Sequence, residues 1–233
     1  MSRQGVVPAI DEPGDELTQR RGRTRWVGLG LAVTAALVVG AIGFLTLGSR
    51  LPSDTSPEAG FARDMQAHHA QAVEMAFLLR DRTDDATLRT IAFDIITTQQ
   101  QQMGQMYGWL RMWGLPQSTS RPAMAWMADG SGHSAMDMDD TAPTGAMTPA
   151  EMPGMATREQ IDRLRQADGP EAEVLFLQLM IKHHRGGIDM AQAARDLASD
   201  DNVILLADRI ASSQAAEIQQ MEQLLQDREQ RTG

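Results

Sequence analysis

The sequence predicts an all-α protein in which two repeated helical hairpins form a four-helix bundle, preceded by one N-terminal transmembrane helix. The first indication is composition: only 4% of the 233 residues are aromatic while 16 are methionine, and apolar side chains recur at helical spacing. The second is a Met-x-x-His-His motif that begins at Met65 and again at Met180. The third is an uncharged apolar run near the N-terminus, long enough to cross a bilayer.

Net charge and the lack of cysteine narrow the classes of function. The formal charge is -10 at pH 7, whereas a nucleic-acid partner requires a positive surface. We therefore expect no nucleic-acid binding. The chain contains no cysteine, which excludes disulfide bonds and thiolate metal sites. A soft metal ion would have to bind methionine sulfur and histidine nitrogen.

The N-terminal segments are predicted to anchor the protein in a membrane. Residues 1–25 end in a cluster of arginines and are interpreted as a cytoplasmic basic tail, and residues 26–48 as the transmembrane anchor. The positive-inside rule keeps the N-terminus in the cytoplasm, so the bundle of this single-pass cell-membrane protein lies outside it. A cleaved signal peptide is the alternative, although its apolar region is normally shorter, ~7–15 residues. Residues 49–56 form a linker.

Residues 57–230 are predicted to form the bundle, with the first repeat at 57–114, a methionine-rich loop at 115–156 and the second repeat at 157–230. Helix starts are indicated by capping residues, such as Ser56 before a proline and Thr157 three positions before a glutamine. In the first repeat we expect one helix from Pro57 to about Arg82 and a second that reaches Trp113. In the second repeat we expect a short helix from Thr157 to Ala167 and a third long helix from Gly169 to the break at 199–202. A fourth long helix should run from about Val203 to near Arg228.

The loop at 115–156 is longer than a compact domain normally tolerates without a purpose. It lacks helical periodicity, yet it holds seven methionines together with His133 and Trp126. Two interpretations stay open: a disordered linker, or an auxiliary segment that captures metal ions.

The duplication extends from the histidine helices into the helices that follow them. At the same offset, five residues of the second helix have counterparts in the fourth. In order, Ile95, Gln99, Gln102, Met106 and Leu110 correspond to Ile210, Gln214, Glu217, Met221 and Leu225. A whole hairpin is therefore duplicated, and two hairpins with one apolar stripe each can bury those stripes against one another.

Helical geometry places the two histidines of each pair on opposite shoulders of the apolar face, because successive residues diverge by ~100°. Met65 lies at the centre of this face, and His68 and His69 border the bundle interior on either side. The stripe of each following helix contains a glutamine, Gln99 or Gln214, that is able to orient a ring nitrogen. Imidazole and thioether groups in a low-dielectric interior are typical of a soft metal site, and among the transition metals Cu(I) suits them best.

Other functions stay open on the sequence. Di-iron bundles carry Glu-x-x-His on two helices. Here Met65 and Met180 replace that glutamate, which argues against a ferritin-like redox enzyme and favours a protein without catalytic turnover. A haem-binding bundle and a structural or interaction module without metal are further alternatives. Each methionine also has a packing interpretation, because methionine fills irregular gaps in cores.

The two motifs, continued through Met75-Ala76 and Met190-Ala191, resemble the DUF305 family of bacterial proteins over about residues 57 to 228. The segment from Met152 to Met155 is similar to that family as well. The resemblance implies a ferritin-like four-helix bundle, usually exported or membrane-anchored, and some members are associated with copper binding and copper resistance. The ligand candidates it implies are Met65, His68, His69, Met75, Met180, His183, His184 and Met190.

Around these ligand candidates, the sequence predicts a second shell made of Gln99, Gln214, Met106 and Met221. The chain departs from the family pattern at Gln102, where the family tends to place an acid, and this puts a ligand role for Glu217 in doubt. The leading hypothesis is a membrane-anchored, extracytoplasmic protein that binds copper, most readily Cu(I), for sequestration, delivery or resistance. Another transition metal and a homo-oligomer both stay open.

Overall fold

The computed structural model describes residues 51–130 and 147–232, together with Thr34 and Val38, which lie in a helix. The chain divides into two units, Met1–Arg50 and Leu51–Gly233. Apart from these two positions, the predicted anchor at 26–48 and the basic tail at 1–25 lie outside the described residues. Within the described part, no helix combines the length and the apolar character needed to span a bilayer.

The second unit is helical, as predicted. Its described residues form six α-helices and one 3-10 turn, and they contain no strand. The helices are α1 (Pro57–Arg80), α2 (Ala86–Met112), α3 (Ala125–Gly130), α4 (Arg158–Gln166), α5 (Gly169–Leu197) and α6 (Asp201–Thr232), and the 3-10 turn spans Pro149–Glu151. The bounds of α1, α2, α4, α5 and α6 agree with the expected helices to within a few residues, although α6 extends further at its C-terminal end. The helix α3 and the 3-10 turn lie in the loop at 115–156, where no helix was expected.

Local capping explains where these helices begin. The Ser56 hydroxyl accepts the Ala59 N–H at 3.3 Å at the start of α1. At the start of α4, the Thr157 hydroxyl accepts the Gln160 N–H at 3.3 Å, and the Gln160 side chain accepts the Thr157 N–H at 2.8 Å. Each contact satisfies a backbone donor that has no partner inside the helix. After α2, Gly114 adopts a φ of 70°, which ends the helix.

Two hairpins, α1–α2 and α5–α6, make the bundle, and they pack on one another through α1 and α5. The interior contains two apolar clusters, and each draws residues from both repeats. Cluster A includes Met75, Leu88, Phe176, Met180 and Met221. Cluster B includes Phe61, Met65, Met106, Met190 and Ile210. Because each repeat contributes to both clusters, neither hairpin buries its apolar stripe alone.

The described ends of the methionine-rich loop pack against the bundle. Trp126 is 2% exposed, and its ring lies edge-on to Phe61 with centroids 6.0 Å apart. The Asp64 carboxylate accepts the Met124 N–H at 2.8 Å and the Trp126 indole N–H at 2.9 Å, while burial raises the pKa of that carboxyl. This part of the loop therefore belongs to the core. Residues 131–146, which include His133, lie outside the described residues.

Candidate metal centre

The four paired histidines meet where α1 and α5 pack together, and all four side chains are fully buried. The rings of His68 and His183 stack across the two repeats, with centroids 3.8 Å apart and planes tilted by 33°. We call His68 and His183 the inner histidines and His69 and His184 the outer histidines. Helical geometry alone predicted that both members of a pair border the interior, and the structure encloses them completely.

The outer histidines bind side chains of the helix that follows them in the chain. Nε2 of His69 lies 2.7 Å from the Gln102 carbonyl oxygen, and Nε2 of His184 lies 2.6 Å from a Glu217 carboxylate oxygen. Both acceptors are 33 residues after their histidine. The duplicated hairpins therefore repeat this contact, with an amide in one repeat and a carboxylate in the other.

The inner histidines bind backbone carbonyl groups. His183 donates from Nε2 to the carbonyl oxygen of His68 at 3.1 Å, and His68 donates from Nε2 to the carbonyl oxygen of Pro153 at 3.0 Å. A carbonyl oxygen only accepts, so the proton of each neutral ring lies on Nε2. The same holds for the outer pair, whose acceptors are also oxygens. Each of these rings, when neutral, therefore carries its lone pair on Nδ1.

The four Nδ1 atoms are buried without hydrogen-bond partners in the described part of the chain. Burial, with a smaller contribution from neighbouring imidazoles, lowers the pKa of His68 to about 4 and the pKa of His69 to about 3. Burial likewise holds the pKa of His183 well below its ordinary value. These three rings are consequently neutral near pH 7, which is the protonation state that binds metal ions.

The two glutamines that were predicted to orient the histidine rings are not hydrogen-bonded to them. Gln99 and Gln214 are buried, but among the described residues their amide groups have no hydrogen-bond partner. A side chain at Gly187 would place Cβ 2.5 Å from the Gln214 amide oxygen, so this amide fills the space beside α5. The orienting role belongs instead to Gln102 and Glu217. Which residues of α2 and α6 face the outer histidines becomes visible only in the packed hairpins.

The predicted methionines are fully buried and divide between the two apolar clusters. Cluster A contains Met75, Met180 and Met221, and cluster B contains Met65, Met106 and Met190. Each set combines thioethers from both repeats.

The donor set limits the kind of metal ion that fits. Across residues 51–130 and 147–232, no three imidazole or carboxylate side chains are grouped so that they could hold a metal. A site in this layer would have to combine at most two imidazole nitrogens with thioether sulfur. Such donors suit a soft ion and are poor for hard ions that require several carboxylates. The chemistry of the buried residues thus fits copper.

A short segment at residues 152–156, which we call the strap, covers the inner histidines. Gln71 fixes it by accepting the Ala156 N–H at 2.7 Å and donating to the Ala156 carbonyl at 2.9 Å. A Cβ at Gly186 would clash with the Pro153 carbonyl oxygen, so only glycine allows this approach to α5. Gly154 itself has a φ of 78°, a left-handed conformation that glycine adopts at little cost. The sequence reasoning did not predict that the strap contacts His68.

Comparisons with known proteins agree with this architecture. The sequence profile described as "Domain of unknown function (DUF305)" matches residues 58–225. A DUF305 protein crystallised from Streptomyces coelicolor is 42% identical, with 76% of this chain and 96% of that chain covered and a TM-score of 0.65. A DUF305 fragment from Deinococcus radiodurans is 30% identical, with 73% and 96% covered and a TM-score of 0.58.

CopM, in a Cu(II)-bound form, is also similar in structure. It is 26% identical, with 74% of this chain and 97% of that chain covered and a TM-score of 0.51. A comparison with curated proteins gives no match.

Proposed function

This chain belongs to the DUF305 family, and from that premise we propose that it binds copper in the layer formed by its four paired histidines. The protein sequesters the metal or hands it on, without catalytic turnover. Any one ion binds at most two of the imidazoles of His68, His69, His183 and His184, together with thioethers from Met65, Met75, Met180 and Met190.

One observation carries this proposal: four buried Nδ1 atoms that have no hydrogen-bond partner in the described part of the chain, in rings whose other nitrogen is already bound. Leaving a buried polar atom without a partner costs roughly 1–3 kcal/mol. Such a cost at four positions of one layer is offset if the nitrogens bind a ligand. A metal cation accepts a lone pair from a neutral imidazole.

The similarity to CopM in its Cu(II)-bound form supports the choice of metal. The observed donors support it independently, because imidazole and thioether groups bind Cu(I) well. We also propose that the bundle is ferritin-like, since two hairpins are joined by one long connection between α2 and α5.

The same layer disfavours an oxygen-activating di-iron enzyme. In the described residues the carboxylate that contacts a paired histidine is Glu217, whereas di-iron bundles draw carboxylates from all four helices. Met65 and Met180 occupy the motif positions where those enzymes carry glutamate, and both lie in apolar clusters.

Histidine-to-glutamine variants test the proposal most directly. Glutamine can place its amide N–H near the position of Nε2 and so keep the hydrogen bond, but it removes the Nδ1 lone pair. We expect the soluble fragment from Ser53 onward to bind Cu(I) in competition with a chelator. The variant with all four paired histidines changed to glutamine should lose this binding while its far-ultraviolet circular dichroism stays helical.

A matched pair of methionine variants separates ligand loss from general effects. Met65→Leu with Met180→Leu removes buried sulfur at nearly constant volume, whereas Met112→Leu changes a methionine that is 69% exposed. The buried pair should weaken Cu(I) binding and the exposed variant should not. Equal, weak binding by the wild type and the folded four-glutamine variant would refute the proposed function. A Soret band in purified protein would favour haem instead.

We further propose that residues 26–48 anchor the protein in the cell membrane, with the bundle outside the cytoplasm. The uncharged apolar run and the preceding arginines support this topology. In membrane fractions, the full chain should resist alkaline carbonate extraction and a chain without residues 1–50 should not. Protease added to intact spheroplasts should digest the bundle. Protection of the bundle in spheroplasts, with digestion only after lysis, would contradict it.

A further inference from the structure

The two outer histidines differ in one chemical respect. His69 and His184 are both fully buried, both donate from Nε2, and neither Nδ1 has a hydrogen-bond partner within the described residues. Their Nε2–oxygen distances are 2.7 Å and 2.6 Å. The acceptor, however, is the neutral amide of Gln102 in the first repeat and the carboxylate of Glu217 in the second. The two hairpins thus hold equivalent histidine rings, of which one is hydrogen-bonded to a neutral amide and the other to a negatively charged carboxylate.

That charge changes what each ring offers to a metal ion. A hydrogen bond to a carboxylate is shorter and stronger than one to an amide, and a carboxylate behind a metal-binding histidine raises the donor strength of the ring. The negative charge also attracts a divalent cation more strongly than a monovalent one. Arg185, next to His184 in the chain, does not neutralise this charge, because it pairs with Glu222 at 2.6 Å.

The exposed fractions of the two acceptor side chains are consistent with a charge on only one of them. The Gln102 residue is 6% exposed, whereas the Glu217 side chain is 26% exposed and can be hydrated while its inner oxygen holds His184. A carboxylate enclosed as fully as the Gln102 amide would cost more to desolvate. The second repeat therefore places its charge at the edge of the layer, where it is tolerated.

Resting on the proposed copper binding, we propose that Glu217 is a positioning residue that makes the His184 side of the layer favour Cu(II), while the His69–Gln102 side favours Cu(I). The two halves of the duplicated hairpin are then unequal donors within one layer. A carrier built in this way can hold copper in either oxidation state without using a cysteine.

The molecule supplies its own control for the test. Since His69 already donates to an amide, Glu217→Gln keeps an acceptor of the same shape at His184 and removes only the charge. The reciprocal change, Gln102→Glu, adds a charge behind His69. The double exchange keeps the net charge of the wild type and moves the carboxylate to the first repeat.

Cu(I) and Cu(II) affinities of these variants should be measured against competing chelators specific for each oxidation state. We expect Glu217→Gln to weaken Cu(II) binding about 10–100-fold, the usual effect of losing such a partner, and to leave Cu(I) affinity nearly unchanged. Gln102→Glu should strengthen Cu(II) binding, and the double exchange should restore it. In the metal-free protein, nitrogen NMR should show His184 protonated on Nε2 in both wild type and Glu217→Gln.

Two outcomes would overturn this inference while leaving the proposed function standing. One is an equal loss of Cu(I) and Cu(II) affinity in Glu217→Gln, with the Nε2 proton displaced, which would indicate only a structural role. The other is unchanged binding of both ions. If the wild type bound neither ion, the proposed function itself would fail.

Discussion

The two repeats are alike in their buried layer and different around it. Each supplies two enclosed histidines, a buried glutamine without a hydrogen-bond partner among the described residues, and methionines to both apolar clusters. The inner histidine of the first repeat, His68, donates to the strap, whereas His183 donates to the backbone of the first repeat. At the strap, the first repeat uses Gln71 to bind it and the second uses Gly186 to make room.

The outer surfaces differ more strongly. Four large apolar residues of the first hairpin are 42–69% exposed, namely Phe77, Phe93, Tyr107 and Met112. The equivalent positions of the second hairpin are polar or acidic, namely Gln192, Asp208, Glu222 and Asp227. The two repeats therefore share the side chains that form the buried histidine layer, and they differ at exposed positions on the outer surface of the bundle. Any role of the exposed positions is separate from the donor layer.

The largest expected effect is a loss of stability of the metal-free bundle in acid. It arises from the buried histidine layer and not from the exposed surfaces of the two repeats. The pKa of His68 is lowered from 6.5 to about 4, so between these values the unfolded chain binds more protons than the folded one. Stability then falls as pH drops through this window, by up to about 3 kcal/mol for each such histidine. Urea denaturation at a series of pH values should show this slope, and His69→Gln should reduce it. A flat profile between pH 7 and 4 would contradict the burial of neutral rings.

The second effect compares the two ends of the bundle. Glu173 accepts from Arg228 at 2.8 Å and from the Thr83 hydroxyl at 2.6 Å, whereas its equivalent Glu58 accepts a backbone N–H of the second repeat. Arg228→Met removes the cation that pairs with the largely buried Glu173 carboxylate and with Asp85, and should cost about 3 kcal/mol. The exposed Arg185 is the control, since its loss should cost less than about 1 kcal/mol. Equal unfolding free energies for the two variants would show that the buried Arg228 pairs stabilise the bundle no more than an exposed ion pair does.

The third effect tests how the strap docks on the second repeat. Gly186→Ala drives Cβ into the Pro153 backbone, which cannot yield as a side chain can, and should destabilise the protein by about 2 kcal/mol. In Gly187→Ala the nearest atom is the mobile end of Gln214, and the first repeat already has Ala72 there. The gain in helix propensity, ~1 kcal/mol, should then nearly offset any crowding. Urea denaturation of both variants gives the difference directly, and a reversed order would disprove this packing.

The smallest effect concerns the exposed apolar face. Phe93→Asp and Tyr107→Glu give the first hairpin the acidic residues of the second, and both positions are about half exposed. We expect the free energy of unfolding to change by less than about 0.5 kcal/mol and the sedimentation coefficient to stay constant. A clear loss of stability, or a smaller sedimenting species, would show that this face is covered in solution.

Much of the fold was predictable because the relevant signals are local. Proline and hydroxyl caps set the helix starts, helical spacing identified the apolar stripes, and the repeated motif showed that Phe61 and Phe176 face equivalent interiors. The candidate donors were found for the same reason. Side chains on the inner shoulders of a stripe become buried whatever the partner helix is.

Contacts between helices could not be read in this way. The sequence by itself determined that four histidines and six methionines border one interior. Only the tertiary structure decided that His68 stacks on His183, that Gln102 and Glu217 rather than Gln99 and Gln214 hold the outer rings, and that the strap binds His68. These contacts depend on the register and crossing of α1 against α2 and α5, which side-chain packing along whole helices sets and no local pattern encodes.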